Sequence, residues 1–418
     1  MADNSETPRP AADSDDKDAP IPLSRQLPVY AAGFFSNGSV MLANVVVPLW
    51  VLQIDPSPAL IGIALGSRQI LPVLLSIHGG SLMDRIGIRR VMLWFAALGA
   101  FTPFLFPALP FFAAVVVLQA LTGIASAIGW IGTQAQIGAI MKGEPRYAGR
   151  VTFFNRFAIL AGPPATGAAW DIGGAWGGFA FLGIWGIGLL ISCLMLPKPK
   201  EGELGGGTEP LSNITLRDVL PRMGDYIAAF RLMAIPAIAF VVIVTVLRHS
   251  SNGMLGSFYV VYLNSIGMTG TVIGTLIAAG SILGGIGSLS AGWLAGRFTA
   301  YWVLVVSVSL AIVCIAITPL FSAFAILLIL SGLRGGFMGL SQPLLISLMA
   351  KSSGKNQGKG VGLRTTANRL AVLITPVIMG IVAEAFGIEA SFYITGAVLV
   401  VVLLWLSFRA RSALGAGG

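Results

Sequence analysis

Five arginines lie inside long apolar stretches of the sequence, where positive charge is unusual. A charge at the centre of a bilayer costs about 2.5–3.5 kcal/mol even on the most lenient scale, so these side chains should face water or a partner and not lipid. A guanidinium presents a planar fork of N–H donors that binds a carboxylate, phosphate, sulfate or nitrate at two points. The sequence therefore predicts anion binding by Arg68, Arg156, Arg248, Arg334 and Arg369.

The acidic residues support this interpretation, because none of the 17 lies in the middle of an apolar stretch. Asp171 and Glu384 are near the ends of such stretches, and the others are in loops or in the first 20 residues. An anion from outside is then the simplest partner for the arginines. Polar neighbours that could add donors or acceptors are Gln69, Asn155, His249 and Asn368, and His249 could also titrate.

A structural role is the alternative for Arg156 and Arg369. Both lie about two helical turns from one end of their stretch. Either could therefore extend its guanidinium to the membrane surface, or donate to the backbone carbonyls of a neighbouring helix. The sequence leaves both roles open for this pair.

The composition indicates that membrane-spanning helices hold these residues. Of 418 residues, 56% are hydrophobic and only 10% are charged, whereas a soluble domain carries about 25% charged residues. A helix needs about 20 apolar residues to cross a bilayer. We predict an all-α membrane protein with twelve spans, numbered 1 to 12 in chain order: 27–52, 59–82, 91–107, 111–141, 150–170, 177–196, 232–263, 271–291, 302–320, 323–350, 362–386 and 390–408.

The rarer residue types argue against several functions. Cys193 and Cys314 lie far apart in apolar stretches, and the two histidines form no HExxH pattern, so we expect neither a disulfide framework nor a metal site. The basic residues are dispersed over short loops, which argues against nucleic acid despite a net charge of +9. No nucleophile and base stand out together. We therefore predict that the protein is not an enzyme and needs no cofactor.

The loop charges predict the orientation. If the N-terminus is inside the cell, the lysines and arginines of the loops all fall on cytoplasmic segments, and the opposite loops carry none. We therefore expect a multi-pass protein of the cell (inner) membrane with both termini in the cytoplasm. The predicted domains are a disordered acidic tail at 1–24, a six-helix bundle at 25–196, a cytoplasmic linker at 197–230, a second six-helix bundle at 231–411 and a tail at 412–418.

The turn between spans 2 and 3 carries a charged motif. It runs Gly80-x-Leu82-x-Asp84-Arg85-x-Gly87-x-Arg89-Arg90. This spacing resembles the signature loop of the major facilitator superfamily, although Ile86 and Ile88 replace an aromatic and a basic residue that are common there. The resemblance implies two six-helix bundles with a cavity between them, and a loop that gates the conformational change. Asp84 and Arg85 would help to close the inner gate.

The two halves of the sequence repeat each other. Gly80, Leu82 and Arg85 return as Gly292, Leu294 and Arg297. A longer pattern of span 5, Asn155-Arg156-x-Ala158-x-Leu160-x-x-Pro163-x-x-x-Gly167-x-x-x-Asp171, returns in span 11 as Asn368-Arg369-x-Ala371-x-Leu373-x-x-Pro376-x-x-x-Gly380-x-x-x-Glu384. A repeat of six spans is what the resemblance implies.

Span 5 is also similar to the antiporter motif of that superfamily. The matching residues are Gly149, Gly162, Pro163 and Gly167, whereas Ala158 and Thr166 replace two glycines. Small residues at these positions allow close helix approach. In the family the motif accompanies efflux by antiport.

These patterns predict a secondary transporter that moves a small organic or inorganic anion by alternating access. Arg68, Arg248, His249 and Arg334 would bind the solute near the midplane, and a proton, a cation or a counter-anion would be the coupling ion. Two other functions remain open. One is efflux of amphipathic drugs or metabolites by antiport, which the span 5 motif favours. The other is a non-transporting membrane assembly protein, in which helix carbonyls or lipid headgroups would occupy the arginines.

Overall fold

A computed structural model of the chain describes residues 21–141, 145–197, 231–353 and 357–413. Almost all of the predicted tails at 1–24 and 412–418, and of the predicted linker at 197–230, lies outside the described residues. The N-terminal half contains α1 (Leu23–Ile54), α2 (Pro58–Ser67), α3 (Ile70–Ile86), α4 (Ile88–Ala108), α5 (Phe112–Ile140) and α6 (Pro145–Met195). The C-terminal half contains α7 (Pro236–Leu255), α8 (Phe258–Ser265), α9 (Gly270–Arg297), α10 (Ala300–Ala316), α11 (Phe324–Ser353), α12 (Gln357–Phe386) and α13 (Ile388–Ala413).

The predicted count of twelve spans is confirmed. Ten segments of the described chain are long and apolar enough to cross a membrane, and α10 is a shorter apolar helix. One of the ten, Phe153–Met195, has 43 residues. That is about 65 Å of helix, twice the thickness of a bilayer core. Gly174 divides it with φ +57° and ψ −146°, a backbone conformation that glycine alone adopts readily, and so separates spans 5 and 6.

Two spans are each divided into two helices. Span 2 consists of α2 and α3, and the Gln69 amide at their junction donates to the Gly66 carbonyl at 3.0 Å, as in a 3₁₀ turn. Span 7 consists of α7 and α8, with Ser257 at φ −134° and ψ −100° between them. Each span was predicted as one helix from its overall length and hydropathy, and the short non-apolar stretches 66–69 and 256–257 are too brief to divide it on that basis. The breaks matter because Arg68 lies at the first break.

The two ends of the helix bundle carry opposite charge. One end, called the basic face below, holds both ends of the described chain together with Arg25, Arg89, Arg90, Arg297 and Arg409. The other end, called the acidic face, holds turns or helix ends with Asp55, Asp171, Glu384 and Glu389. The described residues at the acidic face include no lysine or arginine, which agrees with the predicted charge asymmetry.

The apolar core shows where the halves join. One cluster combines residues of both halves, such as Leu42 and Val46 with Phe258 and Ile273, and lies towards the acidic face. The other two clusters are each confined to one half and lie towards the basic face. The halves are therefore packed together at the acidic face and have separate cores towards the basic face.

Two helix crossings hold the halves together, and the sequence repeat relates them. Where α2 crosses α12, a Cβ added at Gly62 would overlap the carbonyl oxygen of Pro376. Where α9 crosses α6, a Cβ added at Gly274 would overlap the carbonyl oxygen of Pro163. Each proline carbonyl thus lies against a glycine of the opposite half. Only glycine allows backbones to approach this closely.

Candidate binding cavity

A cavity of about 540 Å³ lies between the two halves. Helices α1, α2 and α6 line it from the N-terminal half, and α7, α9, α11 and α12 line it from the C-terminal half. Leu65, Ile159, Leu255, Ile277 and Val372 contribute apolar wall. The polar lining consists of Asn44, Arg68, Gln69, Arg156, Arg248, His249, Asn252, Ser281, Ser288, Arg334 and Gln342.

Arg68 reaches the cavity from the junction of α2 and α3 and is only 7% exposed. Its Nη1 donates to the Val40 carbonyl and to Oδ1 of Asn44, both at 3.2 Å and both on α1. Its Nη2 is buried and has no hydrogen-bond partner. The junction packs directly on Gly123 of α5, where an added Cβ would overlap the Arg68 carbonyl oxygen. Gly123 therefore helps to fix the point from which Arg68 extends.

Arg334 reaches the cavity from α11 and is 5% exposed. Its Nη2 donates to Oδ1 of Asn252 at 2.7 Å and to the Ser251 carbonyl at 3.4 Å, both on α7. Its Nε is buried without a partner. Arg68 and Arg334 are thus held in the same way, each by an asparagine on the first helix of its own half. An amide oxygen orients a guanidinium but does not neutralise its charge.

Arg248 of α7 is 6% exposed and is bound more completely. Its Nε donates to Oγ of Ser341 at 2.7 Å, and its Nη2 donates to the Met338 carbonyl at 2.8 Å. Its Nη1 lies 3.1 Å from Nε2 of His249. Since a guanidinium can only donate, Nε2 of His249 accepts, and the imidazole is neutral with its proton on Nδ1. These bonds connect α7 to α11 within one half.

The repeat-related arginines Arg156 and Arg369 are placed differently. Arg156 of α6 is exposed at the cavity, and its Nη1 lies 3.4 Å from the Ser281 carbonyl of the opposite half. Arg369 of α12 is half-buried, has an unpaired Nε and does not line the cavity. Asn155 and Asn368 also do not line it, and the Oδ1 of each is buried without a partner. The cavity therefore contains four of the five predicted arginines, together with Gln69 and His249.

The described lining of the cavity contains no carboxylate. Each hydrogen-bond partner recorded for Arg68, Arg248 and Arg334 is a neutral amide, hydroxyl, carbonyl or imidazole. Arg364 of α12 adds a further positive charge near Arg248 and His249. The cavity is therefore strongly positive, and its chemistry suits a negatively charged ligand.

Sequence reasoning missed the residues that orient the guanidiniums. Asn252 and Ser341 have no charge and lie in ordinary apolar helices, so their contacts depend on how the helices are rotated. Arg364 was also missed, because it lies near the basic end of α12. A search for polar residues one helical turn from each arginine would have found Asn252, since Arg248 is four residues away from it on the same helix.

Metal binding has no support in the described residues. No group of three or more His, Cys, Asp or Glu side chains in that part of the chain is arranged to hold a metal ion. Cys193 and Cys314 are free and buried.

The two motif regions have structural contacts within the described chain. Gly87 separates α3 from α4 at φ +100°, which favours glycine. Nη2 of Arg89 donates to the Leu194 carbonyl at 2.8 Å, and Arg90 is exposed. The side-chain environments of four motif residues lie outside the described part of the chain. These residues are Gly80, Asp84, Arg85 and Gly149.

In the span 5 motif, the small residues lie at helix contacts. Gly162 faces the Leu42 side chain of α1, Pro163 faces Gly274, and Gly167 approaches Gly270. Two of these three contacts cross from one half to the other. The motif therefore packs the halves together, independently of any solute.

Comparison with known proteins identifies the fold. The sequence profile of the Major Facilitator Superfamily matches residues 29–247 and 241–416. A point mutant of the nucleoside transporter NupG has a similar structure, with a TM-score of 0.74 and 13% identity over 92% of this chain and 99% of that chain. A bacterial homologue of the human lysosomal transporter Spinster, in an inward-facing and unoccupied conformation, gives a TM-score of 0.71 and 15% identity over 94% and 97%. No curated protein sequence matches the chain. At these identities the structural likeness establishes the fold alone.

Proposed function

Since the chain belongs to the Major Facilitator Superfamily, a family of membrane transporters, we propose that it moves a small anionic solute across the membrane by alternating access. One observation carries the proposal: Arg68, Arg248 and Arg334 are buried around a single cavity whose described lining has no carboxylate. Burying charged groups without counter-ions is costly. An anionic solute would remove that cost while it is bound.

The arrangement of the halves supports the alternating-access mechanism. The halves share a core and two close crossings at the acidic face, whereas the cavity extends between α6 and α9 towards the basic face. A rocking motion of one half against the other would close the basic face and open the acidic face around a fixed binding site. Transport would be coupled to a proton, a cation or a counter-anion.

The charge of the two faces supports an orientation. Positive residues collect at cytoplasmic ends of membrane helices. We therefore assign the basic face, with both termini, to the cytoplasm of a cell whose inner membrane holds the protein. The cavity then opens towards the cytoplasm. A reporter fused to either terminus should be active on the cytoplasmic side only.

The experiment that tests the proposal is a ligand screen by thermal stability. The full-length protein in detergent is heated with small organic anions, inorganic anions or lipophilic cations. A ligand at 100 times its dissociation constant stabilises the folded state by about 2.7 kcal/mol. We expect stabilisation by an anion class in the wild type, its loss in Arg68→Ala, and its retention in Arg25→Ala, which removes an exposed charge at the basic face.

Other results would favour the other two functions. Stabilisation by lipophilic cations, without stabilisation by anions, would contradict the anion proposal and favour drug efflux, which the contacts of Gly162 and Pro163 leave open. No stabilisation by any solute, together with no flux of the same solutes in proteoliposomes, would favour a non-transporting assembly protein.

A further inference from the structure

Within the described residues, Arg68, Arg248 and Arg334 are the most deeply buried arginines, and they differ in how far the protein satisfies their N–H groups. Each nitrogen of Arg248 has a partner, and all these partners lie in its own half. By contrast, Nη2 of Arg68 and Nε of Arg334 are buried without an acceptor. Arg68 and Arg334 both line the cavity, and their hydrogen-bonding capacity is less completely satisfied than that of Arg248. A ligand oxygen therefore gains more at these two arginines than at Arg248.

The acceptors that orient Arg68 and Arg334 are unusual in their charge. A buried arginine is most often paired with a carboxylate. Here the acceptors are the neutral side chains of Asn44 and Asn252. Aspartate has the same shape as asparagine and would supply a negative charge at the same position. The amide oxygen orients each guanidinium and leaves its positive charge for another partner.

The volume of the cavity and its apolar lining indicate that the anionic ligand is an organic molecule. A volume of about 540 Å³ lies within the range of about 300–1,000 Å³ that is typical of pockets for small organic ligands. This is far more than a single inorganic anion occupies. Leu65, Ile159, Leu255, Ile277 and Val372 line part of the wall, and apolar wall contributes affinity only if the ligand has a carbon skeleton.

We propose that Arg68 and Arg334, one from each half, bind the acceptor groups of a single organic anion, and that Asn44 and Asn252 determine this specificity because they orient both guanidiniums without neutralising them. Arg248 connects α7 to α11 instead of binding the solute directly. The inference rests on the proposed function and adds to it that the solute is organic and bridges the two halves. A solute held from both sides draws the halves together.

Isosteric charge changes at the two asparagines test the inference. Asn44→Asp and Asn252→Asp keep the side-chain shape but add an internal counter-ion. The probes are succinate, terephthalate, phenyl phosphate and inorganic phosphate, with succinamide and terephthalamide as neutral analogues. Dissociation constants are measured on the full-length protein in detergent. We expect an organic anion to bind the wild type more tightly than its amide or inorganic phosphate, and the dissociation constant to rise about tenfold or more in each variant, as for one lost hydrogen bond to a charged group.

The matched control is Asn264→Asp, which adds the same charge at an exposed position of α8. Its dissociation constant should stay within about twofold of the wild-type value, which one exposed charge at a distance would not exceed. Thermal unfolding should show that all three variants are folded. Arg248→Lys should lower the unfolding temperature but raise the dissociation constant less than Arg68→Lys or Arg334→Lys does.

The outcomes separate this inference from the proposed function. If no organic or inorganic anion binds the wild type, the proposed function itself fails. If an anion binds but folded Asn44→Asp and Asn252→Asp retain its affinity, the function stands and the inference is wrong. Tightest binding by inorganic phosphate, or the largest loss in Arg248→Lys, would also overturn it.

Discussion

The carboxylate of Asp171, at the end of span 5, caps the first turn of α9 in the opposite half through Thr271. Its Oδ2 accepts from the Thr271 amide at 2.8 Å and from Thr271 Oγ1 at 2.6 Å, while Oδ1 accepts from the Gly270 amide at 2.6 Å. The repeat-related Glu384 does the same for α2, where it accepts from Ser57 Oγ at 3.2 Å and the Ala59 amide at 3.3 Å. Negative charge at a helix N-terminus is favourable. These two contacts join the halves at the acidic face.

Removal of the Asp171 charge should therefore favour opening of the acidic face. Asp171→Asn keeps the side-chain shape but loses the interaction with the helix N-terminus, which is about 1 kcal/mol at an exposed site. That corresponds to a roughly fivefold shift in a two-state equilibrium. Spin labels at Phe111→Cys and Leu320→Cys, two exposed positions of opposite halves at the acidic face, with Cys193 and Cys314 replaced by alanine, should show a larger population at long distance. An unchanged distance distribution would count against the proposed role of Asp171.

Glu384→Gln should act in the same direction but less strongly, because its hydrogen bonds are longer than those of Asp171. The effects of the two single variants should add in the double variant, since the sites share no partner. Glu389→Gln is the control, because it also removes a carboxylate from the acidic face. Within the described structure, no contact of the Glu389 carboxylate with the opposite half is recorded. If Glu389→Gln opened the face equally, net charge and not helix capping would be responsible.

The close crossings of glycine and proline carbonyl predict a larger effect. A Cβ added at Gly274 would overlap the Pro163 carbonyl oxygen of the opposite half. Separation of the halves at the acidic face would relieve this overlap. Overpacking of this kind costs about 1–3 kcal/mol. Gly274→Ala should therefore shift the spin-label distances towards the open form. Gly292→Ala is the matched control on the same helix, because a Cβ there meets nothing within 4 Å.

The crossings also show which parts of this structure the sequence could predict. The alignment of Pro163 with Pro376 follows from the repeat. The shift of 212 residues that aligns Gly80 with Gly292 also aligns Gly62 with Gly274. A repeat in sequence implies the same helix positions in both halves. The buried arginines were predictable too, since a charge within an apolar span must avoid lipid. Arg369 is partly buried, as expected, but it does not line the cavity. The rotation of α12 about its axis determines whether this side chain faces the cavity, and the sequence does not specify that rotation.

The sequence did not predict how residues pair between helices. Asp171 and Glu384 were recognised as a repeated pair, but nothing in their spacing indicates that each caps a helix of the opposite half. The partners Asn44 and Asn252 depend equally on which turns of neighbouring helices lie side by side. Such contacts come from tertiary packing, which hydrophobic periodicity does not encode.

The turn between spans 5 and 6 gives a prediction about stability. Gly174 has φ +57° and ψ −146°, a combination that costs other residues about 1–3 kcal/mol. Gly174→Ala should lower the free energy of unfolding by this amount. Gly173→Ala is the control, because it lies next to Gly174 in open space without a positive φ. Thermal unfolding in detergent measures both, and equal unfolding temperatures would contradict the assigned strain.

Gly123 offers a way to disturb Arg68 without changing any charge. An added Cβ at Gly123 would overlap the backbone carbonyl of Arg68 and lie 3.1 Å from its Cγ. In Gly123→Ala the junction of α2 and α3 must therefore move away from α5, and Nη1 of Arg68 would shift relative to Asn44. We expect a loss of stability of about 1–3 kcal/mol.

Anion binding should weaken in the same variant, although the guanidinium is still present. The measurement is the dissociation constant of the best anion from the ligand screen, taken well below the unfolding temperature so that only folded protein is compared. Gly292→Ala should bind like the wild type, since its Cβ is in open space. If Gly123→Ala were less stable but kept full affinity, the position of Arg68 would not determine binding. If affinity fell in the folded Gly123→Ala variant, the break in span 2 would be part of the binding site, because it places Arg68 against Asn44.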